Sequence, residues 1–136
     1  PEPRASISGL KVDWLRSPVE TLQALPQLEK DDILFIDSSH QLKPGNDVDF
    51  LLNKVIPRLP AGVRVHFHDI FLPDDYPAHW AWRRYDEQQA VAALLEKRIF
   101  RMDFSSHQAA GHLSGALARL PLVPGALESS LWLTKR

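Results

Sequence analysis

The stretch that decides the fold is DDILFIDSSHQLKPGNDVDFLLNKVIPRLPAGVRVHFHDIFLPDDYPAHW, Asp31 to Trp80. Ile33 to Ile36 (ILFI) is a wholly apolar run between Asp31-Asp32 and Asp37-Ser38-Ser39-His40, the pattern of a strand buried on both faces of a parallel sheet. The period then changes: Val48, Leu51, Leu52, Val55, Ile56 and Leu59 form one apolar stripe of a helix, with Asn46 as its cap and Asp49 at its third position. Pro60-Ala61-Gly62 breaks that helix, and Val63 to His68 (VRVHFH) returns as a strand. A strand, helix, strand unit with short connections predicts two parallel strands.

Outward from this unit the signals weaken. Lys11 to Leu15 (KVDWL) is a strand candidate, and Ser17-Pro18 starts a short helix over Val19 to Leu25, limited by Pro26. The aromatic and proline-rich segment after Asp69 reads as an ordered loop, of the kind that binds ligands when a rigid sheet carries it. Asp86 to Arg98 is helical, with Asp86 and Gln89 placed to cap it. Ile99 to Phe104 and Ser130 to Thr134 read as further strands. Between them, Ser105 to Pro124 reads as a long connection with at most one short helix, because Gly111, Gly115 and Pro121 interrupt it. The expected class is therefore α/β with a mostly parallel sheet, in a single domain spanning 1–136.

Composition narrows the function. With 16 Lys+Arg against 17 Asp+Glu and a net charge of -1, the chain has no broad attraction for phosphate backbones or anionic lipid, so neither nucleic acid nor membrane is an expected partner. The absence of cysteine excludes thiolate zinc sites and a cysteine nucleophile, and fits the cytoplasm. No apolar stretch approaches the ~18 residues that span a bilayer. Neither a phosphate-cradling Gly-rich loop nor a serine-hydrolase elbow occurs. A first residue that is Pro1 rather than Met, in the string PEPR, reads as the start of an excised piece.

Ligands of an open parallel sheet bind outside the carboxyl ends of its strands. ILFI runs into Asp37 and VRVHF into His68-Asp69; on neighbouring strands, ~4.8 Å apart, Asp37 and Asp69 meet in one crevice at a separation a divalent cation could bridge. One reading makes the two carboxylates ligands of Mg²⁺ or Mn²⁺, with His40 or His68 as general base or further ligand. The other makes the aspartates caps of the following turns and leaves the histidines solvated or hydrogen-bonded. His66, opposite in direction to Phe67, is structural on this pattern. The His66-Phe67-His68-Asp69 string also resembles, weakly, the strand end of metal-dependent amidohydrolases. The Trp80, Trp82, Tyr85 cluster either lines an acceptor pocket or buries the loop.

FIDSSH, the GNDV helix start and HDIFLPDDYP together resemble the C-terminal half of class I S-adenosylmethionine-dependent methyltransferases, in the small-molecule subfamily called methyltransferase domain 24. The resemblance runs less sharply through the YDEQQ helix to SSLWLTKR. It implies part of a Rossmann-like methyltransferase fold whose sheet has the order 3-2-1-4-5-7-6, with ILFI, VRVHFH, IFRMDF and SLWLT as strands four, five, six and an antiparallel seven. KVDWL would be strand three. Strands one and two and the glycine-rich cofactor turn are missing from this correspondence, PEPR matching the sequence just after strand two.

The resemblance further implies methyl transfer to a small-molecule hydroxyl, with S-adenosylmethionine as cofactor and Mg²⁺ or Mn²⁺ held by Asp37 and Asp69. It places Asp37 and Ser38 toward the cofactor, puts Ser17 and Glu20 at the adenine, and makes His40, His68 and Asp69 the catalytic candidates. It leaves strand four with an open edge, for which an upstream segment or a second copy of the chain is the expected partner. Two alternatives remain: a non-catalytic α/β binding or assembly module, and a metal-dependent hydrolase using His66, His68 and Asp69.

Overall fold

The computed structural model describes residues 6–117, 119 and 125–136; the PEPR opening and the prolines at 121 and 124 lie outside them. The described chain is mixed α/β, built on one four-stranded sheet of order β1-β2-β4-β3: β1 (Ile33–Ile36), β2 (Arg64–Phe67), β3 (Phe100–Ser105) and β4 (Leu131–Lys135). β1 and β2 pair in parallel, while β4 lies antiparallel to both β2 and β3. Among the described residues no helix is long and apolar enough to cross a membrane.

The segment between β1 and β2 follows the apolar stripe. α1 (Asp47–Phe50) starts at Asn46, whose side chain accepts the Asp49 N–H at 3.1 Å, and continues through a π turn (Leu51–Val55) and a 3₁₀ turn (Ile56–Arg58). Gly62 then reverses the chain at φ 89°; a Cβ there would stand 2.5 Å from Lys30 Cγ, so the turn needs glycine. α2 (Glu87–Glu96) joins the same layer. Ile36, Val65, Phe67, Leu131 and Leu133 of the sheet form the core with Val48, Leu51, Leu52 and Ile56 of the first helical segment and Val91 and Leu94 of α2.

The other face of the sheet is different in character. Register places Phe35 beside His66, His66 beside Trp132, and Trp132 beside Phe104. Ile33, Phe35 and Phe104 are 51%, 58% and 48% exposed on it, and β1 is the sheet's edge. His66 is enclosed, stacked on Phe35 at 4.2 Å and met edge-on by Trp132 at 4.6 Å, and neither ring nitrogen has a hydrogen-bond partner.

Four expectations need correction. Lys11 to Leu15 forms no strand: no described strand pairs with the β1 edge, so KVDWL has no ladder to join, and Val12, Trp14 and Leu15 are exposed. The helix expected over Val19 to Leu25 is only a 3₁₀ turn, Val19–Thr21: the backbone is already extended at Leu22 (φ -69°, ψ 128°), and Pro18 and Pro26 bound a segment too short to hold a stable helix by itself. The connection after β3 holds α3 (Ser106–Leu117), longer than expected and kinked at Leu113, where the φ/ψ values are non-helical. The sheet is also less parallel in its pairings than expected, since β4 inserts between β2 and β3.

His66 carries a stability prediction. Burial, followed by the neighbouring His68, holds its pKa below the ordinary 6.5. Below pH 6.5 the unfolded chain therefore binds this proton first, and stability falls as pH drops. His66→Phe is expected to raise stability by about 1 kcal/mol, since it removes two unsatisfied buried polar atoms, and by more at pH 5.5 than at pH 8. Urea unfolding of both proteins at the two pH values checks this.

Candidate functional site

The site forms where β1 and β2 end. His68 N donates to Ile36 O at 2.9 Å, extending the parallel ladder by one step and setting the two strand ends level. Beyond β1, Ser39 N and Oγ both bond the Asp47 carboxylate, at 2.7 and 2.6 Å, so the loop is anchored to the start of α1. His40 then takes a left-handed conformation (φ 57°), and Asp69 does the same after β2 (φ 55°). Both are residue types that tolerate that region better than most, and here they turn the chain sharply enough to face each other.

The His40 ring is the centre of the cluster. Its Nδ1 is 2.8 Å from Glu87 Oε2, and its Nε2 is 3.2 Å from Asp37 Oδ1 and 3.8 Å from Asp69 Oδ2. Ser38 Oγ donates to the same Glu87 oxygen at 3.0 Å, and the Tyr85 ring lies 4.6 Å from the imidazole. His40 and Glu87 are 3% and 1% exposed. Burial works to lower the His40 pKa, but the Glu87 hydrogen bond and charge, then Asp69 and Asp37, outweigh it and hold the value above 6.5.

Access divides the candidate residues. The side chains of Asp37 and His68 are 57% and 44% exposed, that of Asp69 12% and that of His40 4%. His68 Nε2 stands 3.5 Å from Asp69 Oδ1, which also accepts from Ser129 Oγ at 3.0 Å. Ser17 lies beside and Glu20 on the 3₁₀ turn that packs against α1, and among the described residues neither is a hydrogen-bond partner of Ser38 or His40. Sequence reading therefore brought together Asp37, Ser38, His40, His68 and Asp69, named Tyr85 only as part of an aromatic cluster, and missed Glu87 and Ser129. A glutamate at the first position of a helix reads as a solvated helix-end charge, so no local signal marks Glu87 as buried.

The loop after Asp69 walls one side. Phe71 meets Trp80 edge-on at 5.2 Å, Trp80 meets Tyr85 at 6.0 Å, and the Arg83 guanidinium lies 4.3 Å above Trp80. Gln88 ties this loop to α2, its Oε1 accepting from Phe71 N at 3.0 Å. Trp82 is 76% exposed and meets the cluster through the same Arg83 guanidinium, 5.1 Å above its ring.

The nearest oxygens of Asp37 and Asp69 are directed at His40 Nε2, and among the described residues no group of three or more His, Asp or Glu side chains is arranged to hold a metal ion. Comparisons with protein-family models, with curated proteins and with solved structures find no match to this chain.

Two outcomes follow. Protonated His40 contributes stability that is fully present below pH 6.5 and is lost as pH rises through its higher folded value. The destabilisation by His40→Gln, about 3 kcal/mol because Glu87 loses its buried partner, is therefore expected to shrink between pH 6 and pH 9 in urea unfolding. Titration of Mn²⁺ at pH 7 is expected to leave the His40 ring resonances in place, whereas saturable binding lost in Asp37→Asn would contradict the arrangement.

Proposed function

We propose that this chain is the acceptor-side half of a class I S-adenosylmethionine-dependent methyltransferase domain that methylates a small-molecule hydroxyl. The observation that carries the reading is the strand order. β1-β2-β4-β3, with β4 antiparallel, is the order expected for strands four, five, seven and six of that fold, and residues from the ends of β1 and β2 meet in one crevice.

The exposed Asp37 carboxylate and Ser38 would border the cofactor, which when bound supplies an electrophilic methyl group on a sulfonium. The chain's own task is then to orient the acceptor hydroxyl and take its proton. His68 is the accessible imidazole, and Asp69, held by Ser129, orients it. His40 is too enclosed to meet an acceptor, so its part is to place the carboxylates around it. The packed aromatic loop from Phe71 to Tyr85 supplies an apolar wall that keeps water from the acceptor.

A divalent cation does not fit the residues as they stand, because Asp37 and Asp69 are turned toward an imidazole. The glycine-rich cofactor turn has to be supplied by a segment that pairs with the β1 edge, which no described strand occupies, and covers Phe35 and Ile33, from upstream or from another copy.

Calorimetric titration of S-adenosylhomocysteine, with and without Mg²⁺, tests the reading on two proteins: this chain, and this chain fused behind the strand, Gly-rich turn and strand half of a class I methyltransferase. Binding to the fused protein alone, unaffected by Mg²⁺ and weakened about tenfold by Asp37→Asn, is expected. Binding to neither would overturn it in favour of a non-catalytic α/β module.

A further inference from the structure

His40 meets α2 twice. Its backbone carbonyl accepts the N–H groups of Asp86 and Glu87, at 3.0 and 3.2 Å, so it satisfies donors that a helix start would otherwise leave unpaired. Asp86, the expected cap, makes no side-chain bond to the helix; its Oδ1 instead accepts from Leu42 N at 2.6 Å, two residues beyond His40. The α2 start is thus fixed to the loop after β1 from both sides.

From that fixed point the Glu87 side chain turns inward. One of its oxygens, Oε2, receives both Ser38 Oγ and His40 Nδ1. The imidazole is held at one nitrogen, packed by Tyr85, and left with Nε2 directed between Asp37 and Asp69. A histidine ring with one nitrogen bonded to a buried carboxylate has its orientation set by that bond, as in histidines held by a carboxylate for catalysis or metal binding.

We propose that Glu87 is a positioning residue of this site: through Nδ1 it orients the His40 ring, so that Nε2 gathers the Asp37 and Asp69 carboxylates at the end of the sheet. The bond is a property of the chain alone. What it serves, a fixed pair of carboxylates beside His68 and the acceptor, rests on the methyltransferase reading.

The test is the histidine-ring ¹H–¹⁵N spectrum of the labelled chain at pH 7. Wild type is expected to show a slowly exchanging His40 Nδ1–H proton. Glu87→Met, close in shape and without an acceptor oxygen, is expected to lose that proton while the His107 and His112 ring signals stay in place. Glu87→Gln, whose amide oxygen can still accept, is expected to restore it. A wild-type His40 without an Nδ1–H proton, or a folded Glu87→Met that keeps it, would overturn the assignment. Should Glu87→Met fail to fold, the wild-type spectrum decides. Should the chain show the proton while the fused protein binds no S-adenosylhomocysteine, the methyltransferase reading is lost and this one is kept.

Discussion

The contact between His40 and Glu87 is the constraint on which the rest of the site depends. It joins the loop after β1 to the first residue of α2, 47 positions apart in sequence, at 2.8 Å and with both residues almost wholly buried. Burying an ionisable pair is costly, and the cost is contained only if the remaining polar atoms find partners. Here Ser38, Asp37 and Asp69 supply most of them, although Glu87 Oε1 has none. The pair is better understood as specifying one geometry than as adding net stability. Its consequences reach the backbone, since the same histidine carbonyl receives the first N–H groups of α2 and its left-handed turn sends the ring back under the strand end.

The sheet around that contact is asymmetric. One face is closed by α1, the turns that continue it and α2, and it accounts for the apolar core. The opposite face carries a stacked His66 beneath a half-exposed Phe35, with Phe104 exposed further along. A strand as apolar as ILFI is the kind that sheets bury on both faces and pair on both edges, yet among the described residues β1 has one partner. The proposed methyltransferase half accounts for both features at once, because the layer and strands that would cover them are those carrying the cofactor turn. In that account the acceptor chemistry of His68 and Asp69 is assembled before the cofactor half arrives.

How much of this could be read from the sequence depended on whether the signal was local. ILFI, VRVHF and the stripe from Val48 to Leu59 carry their own periods, and Asn46 caps its helix as its type and place suggested. The convergence of Asp37 and Asp69 followed from two parallel strand ends. KVDWL failed because a strand needs a neighbour, which no local pattern supplies. Glu87 was invisible for the opposite reason: its helix was legible, but the depth at which the helix start lies is set by His40, a residue on another element. Distance in sequence, here 60 positions, also hid Ser129, whose hydroxyl steadies Asp69 from just before β4.

The most direct test of the central claim is a double-mutant cycle between His40 and Glu87, using His40→Gln, Glu87→Met and the pair, each unfolded in urea at pH 6. The account predicts a coupling energy of about 2 kcal/mol, well above the ~0.5 kcal/mol scatter of independent sites. Additive effects of the two substitutions would mean that the residues do not hold each other, and would contradict it.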